Sequence, residues 1–374
     1  MPARHRLAAV AAAAAGVITA LGLAAATAAS AATVPYLSHF HTLTTLVSTV
    51  PTNGDENPYG IFIVQQTTGD LHAGNVLISN FNNNLNQQGR GTTIVQITPT
   101  GHRSLFATIN ASTLPGPCPG GVGLTTALEV LPGGWVVVGS VPSTDGSAGT
   151  SQAGCLIVLN SHGQVKETIT DGINGPWDSV AVTQGSTTDL FVSNVLQGTA
   201  AANGSVVDNG YVQRLTLHLS ASAPPQVMTS KTIASGYPQR TDANAFVLGI
   251  TGLGLGPDGK LYVAETLTSQ IFAVSDPLTR PGSNGGGSLV THGSLLAQPL
   301  GLAIAPNGDI LTVNGANGRI VETTPGGNQI AQRSLDSTPP SPRGAGALFG
   351  LAVRPDLGGV YYVDDAVNTL RLLN

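Results

Sequence analysis

The chain of 374 residues has only 9% charged residues but 48 glycines and 24 prolines, a composition that favours many short strands joined by turns over long helices. Its formal net charge of −5, without a clustered Lys/Arg run, provides no basic surface for phosphates. We therefore expect no nucleic-acid partner and no attachment to anionic membranes.

The first 31 residues have the pattern of an export signal. The basic start Arg4-His5-Arg6 precedes an Ala/Leu/Val stretch that ends in the small-x-small motif Ala29-Ser30-Ala31. An uncleaved membrane anchor is the alternative, although alanine is a weak membrane-spanning residue. We predict a signal peptide over residues 1–31, secretion or display at the cell surface, and a single domain over 32–374 with no further membrane segment.

Three irregular copies of one strand pattern follow, each with an apolar run, a turn and two further apolar runs. They occupy residues 58–97, 127–159 and 176–217. Two stretches rich in Gly, Ser and Asn, Gln197 to Asn209 and Arg280 to Ser288, are predicted to be loops.

The chain contains two cysteines, Cys118 in a proline-rich turn and Cys155 at the start of an apolar run. In an oxidising compartment, an even pair favours a disulfide over a catalytic thiol. A structural zinc site is disfavoured because no histidine pair accompanies the cysteines. We predict a Cys118–Cys155 bond that joins a loop to its own blade.

The C-terminal third holds three regular copies, whose turns begin at Pro257, Pro306 and Pro355, each 49 residues after the last. A period of this length with hairpin turns indicates one four-stranded propeller blade per copy, and therefore six blades in all. The chain ends after only the third strand of the last blade. We predict that an N-terminal strand, Phe40 to Val47, completes that blade and closes the ring. The predicted fold class is all-β, a six-bladed β-propeller of four-stranded antiparallel blades.

The regular copies resemble NHL repeats, in which Pro-x-Gly-Leu-Ala, a Pro-Asp/Asn-Gly turn and Asn-x-Arg-Ile follow one another. The segments that carry this resemblance are Pro299-Leu300-Gly301-Leu302-Ala303, Pro306-Asn307-Gly308 and Asn317-Gly318-Arg319-Ile320. The segments 79–83 and 88–94 are also similar to exported bacterial NHL proteins. The resemblance implies the fold, not a reaction.

An amide or carboxylate follows the second strand in five of the six blades, where a propeller directs groups toward its central channel. These residues are Asn80, Asn194, Glu265, Asn314 and Asp364, with Asp365 adjacent to the last. They could instead cap local turns, as Asx side chains commonly do. If their oxygens converge, they would suit Ca²⁺, for which Glu265, Asn314 and Asp364 are the predicted ligands.

The segments before the first strands add Tyr59, Trp177 and Asp178, and the loop after the first blade's second strand adds Asn82. Aromatic rings beside polar groups could stack on a sugar or another planar ligand at the channel mouth. Glu129, within an apolar strand, either faces the channel or is satisfied by the backbone.

Two classes of function follow. The first is a secreted binding scaffold for an extracellular protein, a glycan or a small molecule in the central channel. The second is an enzyme that resembles lactonase or lyase propellers and uses a channel divalent cation. The chain lacks the lactonase glutamate at the start of blade one, and it lacks the His–Glu pair of the lyases. Binding is therefore the favoured prediction.

Overall fold

The computed structural model describes residues 34–374, except 221, 340 and 357. The predicted signal peptide over residues 1–31 lies outside this part of the chain. From Pro35 onward the chain forms one compact unit built from six antiparallel sheets. None of the helices in the described residues is long enough and apolar enough to cross a membrane.

The first three blades follow the chain in order, each beginning with the strand nearest the central axis. Blade 1 contains β2 (Glu56–Ile63), β3 (Val76–Asn82), β4 (Thr93–Ile97) and β5 (Arg103–Thr108). Blade 2 contains β6 (Leu124–Leu131), β7 (Trp135–Ser140), β8 (Cys155–Leu159) and β9 (Val165–Ile169). Blade 3 contains β10 (Pro176–Gln184), β11 (Thr187–Asn194), β12 (Val207–His218), β13 (Gln226–Asp242) and β14 (Phe246–Leu248).

The last three blades are more regular, as the repeat in the sequence predicts. Blade 4 contains β15 (Ile250–Leu255), β16 (Leu261–Glu265), β17 (Gln270–Val274) and β18 (Ser288–His292). Blade 5 contains β19 (Pro299–Ile304), β20 (Ile310–Asn314), β21 (Arg319–Thr323) and β22 (Gln329–Ser334). Blade 6 contains β23 (Leu348–Val353), β24 (Val360–Asp364), β25 (Thr369–Leu373) and the N-terminal strand β1 (Leu43–Ser48). The predicted six-bladed propeller is confirmed.

The N-terminal strand closes the ring, as predicted, by pairing antiparallel with β25 in a register that joins Leu43 to Leu373. It begins three residues later than predicted because Tyr36–His39 forms a 3-10 turn. The N–H groups of His41 and Thr42 then donate to the carbonyl of Asn374. This pairing covers an edge that the last blade would otherwise expose.

Blade 3 departs most from the predicted pattern. Its strand β13 spans 17 residues and turns back into the short strand β14, so this sheet has five strands. The predicted loop at Gln197 to Asn209 is shorter than expected, because β12 begins at Val207. The predicted loop at Arg280 to Ser288 reaches the first residue of β18, Ser288. The predicted Cys118–Cys155 disulfide is present, and it links the loop before β6 to the strand β8.

Glycines let the inner strands approach one another closely. A Cβ on Gly301 would lie 2.1 Å from the carbonyl oxygen of Phe349, and one on Gly350 would lie 2.4 Å from that of Tyr59. Gly60 and Gly301 are each the second residue after the proline of an inner strand, and Asp178 holds this position in β10. Blade 3 therefore has a carboxylate at a position where blades 1, 4, 5 and 6 have glycine.

The carboxylate of Glu322 anchors the N-terminal segment. Its two oxygens accept hydrogen bonds from the N–H groups of Tyr36, at 2.7 Å, and Leu37, at 2.8 Å. Both residues and Glu322 itself are buried, so the bonds are shielded from water. Glu322 lies in β21 of blade 5, and it therefore ties the start of the domain to the blade beside β1.

We expect Glu322→Ala to lower the free energy of unfolding by about 2–3 kcal/mol, because two buried N–H groups lose their acceptor. Glu322→Gln keeps one acceptor oxygen and should lose less. Urea unfolding of both variants, beside Glu167→Ala at an exposed site on β9, measures the difference. Equal stabilities for Glu322→Ala and Glu167→Ala would show that this anchor does not stabilise the fold.

Candidate functional site

A cavity of about 650 Å³ opens at the end of the channel where the inner strands begin. We call it the mouth cavity. The residues that matter most for its chemistry come from blades 1, 5 and 6: Asn57, Tyr59, Asn82, Gln298, Phe349 and Asp365. Three of these, Tyr59, Asn82 and Asp365, are among the residues predicted from the sequence.

A hydrogen-bonded chain of three amides and one carboxyl crosses this cavity. With the Asn57 amide oriented so that both of its atoms are satisfied, its Nδ2 donates to Asp365 Oδ1 at 2.7 Å. Its oxygen accepts from Asn82 Nδ2 at 3.1 Å. Asn82 also donates to the Oδ1 of Asn86. Each side chain thus holds the next one in place, which presents a preorganised polar surface to a ligand.

Asp365 has an unusual protonation state. Burial raises its pKa to about 8, assisted by the nearby negative charges of Asp364 and Glu56. Its carboxyl is therefore largely protonated at neutral pH and can donate a hydrogen bond as well as accept one. A carboxyl that titrates in this range is also suited to general acid–base chemistry.

Stacked aromatic rings form the floor of the mouth cavity. The Tyr59 ring lies between Phe349, at 3.9 Å between centroids, and Phe81, at 4.5 Å. Trp177 packs edge-on against both Tyr59 and Phe81, and all four residues are buried. Burial also raises the pKa of Tyr59, so this phenol stays protonated. We call these four rings the aromatic plug.

The backbone is strained around the same cavity. Asn57, Asn86 and Gln298 line it, and all three have positive φ angles of 61°, 54° and 55°. Asparagine tolerates this region better than most residues, but the region is costly for Gln298, and such strain often accumulates at ligand-binding sites. The strain therefore indicates the same location as the polar network.

A second cavity, of about 250 Å³, lies farther along the inner strands. We call it the channel chamber. It contains Asp178, predicted for the mouth, and Glu129. Asp178 Oδ2 accepts a hydrogen bond from the N–H of Leu253 at 2.9 Å, which ties blade 3 to blade 4. Burial raises the pKa of Asp178 to about 7, and burial together with the charge of Asp178 raises that of Glu129 well above its usual value.

The five residues at the ends of the second strands are all fully buried, and none lines the mouth cavity. Asn80 donates to the carbonyl of Thr49, Asn194 to that of Val192 and Asn314 to that of Leu295. These bonds hold loops and strands together, as the turn-capping alternative describes.

The two acidic members of this set also have partners nearby. Glu265 accepts from the N–H groups of Leu267 and Thr268, at 2.9 and 2.8 Å. Asp364 forms an ion pair with Arg371 at 2.7 Å. Within the described residues, no group of three or more His, Cys, Asp or Glu side chains is arranged to hold a metal. The Ca²⁺ site at Glu265, Asn314 and Asp364 stays a prediction.

The sequence prediction missed Asn57 and Gln298. Both directly precede a proline at or near the start of an inner strand, Pro58 and Pro299, whereas glycine precedes Pro176. A polar residue at that point in the repeat is a usable signal, because the start of each inner strand faces the channel mouth.

No protein-family model and no curated protein matches the sequence. Solved structures with the same architecture exist. A gluconolactonase from Xanthomonas campestris is 14% identical with a TM-score of 0.52, and the match covers 89% of this chain and 88% of that one. A luciferin-regenerating enzyme is 12% identical with a TM-score of 0.54, and the match covers 89% and 95%. At these identities the likeness establishes the propeller fold alone.

Proposed function

We propose that the protein binds a small, neutral, hydroxyl-rich molecule, such as a sugar or a sugar lactone, in the mouth cavity. The observation that carries this proposal is the Asn86–Asn82–Asn57–Asp365 network beside the Tyr59–Phe349 stack. Amides and a protonated carboxyl offer both donors and acceptors to hydroxyl groups. Tyr59 and Phe349, the two rings of the aromatic plug that line the cavity, offer apolar surface to the C–H groups of a sugar.

The size and charge of the cavity support the same class of ligand. A volume of about 650 Å³ lies within the range of small-molecule sites. The described residues that line it include no lysine or arginine, but they include the carboxyls of Asp242 and Asp365. A phosphorylated or carboxylated ligand would therefore find no compensating charge.

Binding should depend on the protonation of Asp365. A ligand that covers this carboxyl removes water from it and so favours the neutral form. We expect affinity for a neutral sugar to fall by about 3- to 10-fold as pH rises from 7 to 9.5 through the pKa of about 8. Asp365→Asn should bind with an affinity that no longer varies with pH.

Isothermal titration calorimetry with a panel of neutral mono- and disaccharides and their lactones is the measurement. Asp171→Asn, at an exposed site in the turn between blades 2 and 3, is the matched control and should keep the wild-type pH profile. Binding that Asp365→Asn leaves unchanged at every pH would place the ligand elsewhere. No binding by any member of the panel would exclude this class of ligand.

Hydrolysis of a lactone or ester is a second candidate function. The titration of Asp365 near neutral pH favours it, because an acid or base works best when its pKa lies near the working pH. The fold neighbour named as a gluconolactonase supports testing lactones first. Acid release from the lactones in the panel, lost in Asp365→Asn and kept in Asp171→Asn, would distinguish an enzyme from a binding protein.

We also propose that the protein is exported, that its blades are NHL repeats, and that Glu265, Asn314 and Asp364 bind Ca²⁺. The disulfide is compatible with an oxidising compartment outside the cytoplasm. An extracellular glycan would supply hydroxyl groups of the kind that the mouth cavity fits. The metal content of the purified protein, before and after EDTA treatment, tests the Ca²⁺ site.

A further inference from the structure

We propose that the channel chamber is a second binding site, and that it takes the ammonium group of a small aliphatic amine. It is formed by the later residues of the inner strands, such as Leu128, Leu253 and Leu351. The mouth cavity is lined by earlier residues of the same strands, such as Tyr59 and Phe349. The chamber is therefore separate from the proposed sugar site.

Glu129 places a buried carboxyl at the wall of the chamber. Glu129 is only 9% exposed, it faces the chamber, and its carboxyl has no hydrogen-bond partner among the described residues. Burial of an unpartnered carboxyl is costly in a folded protein, and a cationic ligand would offset that cost. Asp178 faces the same chamber, and only its Oδ2 accepts a hydrogen bond from another blade, from the N–H of Leu253.

The side chains that line the chamber favour an organic cation over a metal ion. Most of the other lining side chains are aliphatic, with leucines from blades 2, 4, 5 and 6 and Val180 from blade 3. Calcium requires six to eight oxygen ligands, and two carboxyls on apolar walls provide too few. An alkyl ammonium places its charge on the carboxyls and its chain on the leucines.

The chamber is accessible and of suitable size. Ile61, Val180 and Leu255 are partly exposed there, so solvent reaches it. A volume of about 250 Å³ would hold an amine of about five to eight carbon atoms but not a polypeptide. The occupant that we propose is therefore a free small amine.

The charge of the chamber depends on pH. Among the described residues, Glu129 and Asp178 are the only ionisable side chains that line it. Burial disfavours the ionised forms of both carboxyls, which raises the pKa of Asp178 to about 7 and the pKa of Glu129 well above its usual value. An ammonium ion favours the ionised forms, so binding should release protons and strengthen as pH rises through 7.

Calorimetric titration of the mature protein with n-pentylammonium chloride, near pH 6 and near pH 8.5, tests the proposal. We expect about tenfold tighter binding at the higher pH, with heats that change between buffers of different ionisation enthalpy. Glu129→Gln should weaken binding about tenfold or more at the higher pH. Glu167→Gln, at an exposed site on β9, should not change it.

Three results would overturn the proposal: no binding of pentylammonium at either pH, equal binding of 1-pentanol, or unchanged affinity in Glu129→Gln. Saturable binding of Ca²⁺ in place of pentylammonium would also overturn it. Thermal unfolding confirms that each variant is folded, and Asp178→Asn, which keeps an acceptor for Leu253, provides a second test. The neutral sugars that probe the mouth cavity are absent from this experiment, so its failure leaves the proposed function untouched.

Discussion

Trp177→Ala is expected to lower the free energy of unfolding by about 3–5 kcal/mol, the usual cost of removing a buried tryptophan. Trp177 is 1% exposed, and its ring packs against Tyr59 at 5.7 Å and Phe81 at 5.6 Å between centroids. Its removal leaves a cavity between blade 3 and blade 1. Chemical denaturation followed by circular dichroism measures the loss.

Trp135→Ala is the matched control, because Trp135 is the only other tryptophan and is partly exposed at the start of β7. We expect a loss of about 1 kcal/mol there. Similar losses for the two variants would show that the aromatic plug is not a centre of stability. The four rings would then serve only to shape the floor of the mouth cavity.

Replacing both cysteines with alanine should cost about 3–4 kcal/mol. The bond closes a loop between residues 37 apart, and its loss restores freedom to the unfolded chain. Cys155 is also fully buried in β8, so alanine leaves a small void. Urea unfolding of the oxidised wild type, the reduced wild type and the double variant measures both contributions.

The reduced wild type separates the two effects, because it lacks the bond but keeps the side-chain volume. We expect it to account for most of the loss. A double variant within about 1 kcal/mol of the oxidised wild type would contradict the stabilising role of the bond.

The architecture could be predicted from the sequence because the repeat is local. A fixed spacing of 49 residues between Pro257, Pro306 and Pro355 sets one blade per copy, and the missing last strand requires closure from the N terminus. The details that the prediction missed depend on contacts distant in sequence. The strand β1 starts at Leu43 because Glu322, in another blade, holds Tyr36 and Leu37.

The site could be predicted only in part. The position of Tyr59 ahead of an inner strand predicts it at the mouth, and it lines the mouth cavity. Asn82 and Asp365 also line it, just beyond the predicted position that Asn80 and Asp364 occupy. Asn80 and Asp364, at that position, have other partners: Asn80 donates to the carbonyl of Thr49 in the loop before β2, and Asp364 pairs with Arg371 of its own blade. Buried polar side chains satisfy nearby backbone groups or ions first. The mouth cavity and the channel chamber share no lining residue, and each is lined by residues of several blades, so no local pattern in the sequence encodes them.

The most direct test of the central claim is a crystal structure of the protein with the neutral sugar that binds most tightly in solution. The sugar should lie beside the Tyr59–Phe349 stack, with hydroxyl groups within hydrogen-bond distance of Asp365 and Asn82. A sugar bound outside the mouth cavity, with the cavity filled only by water, would contradict the account.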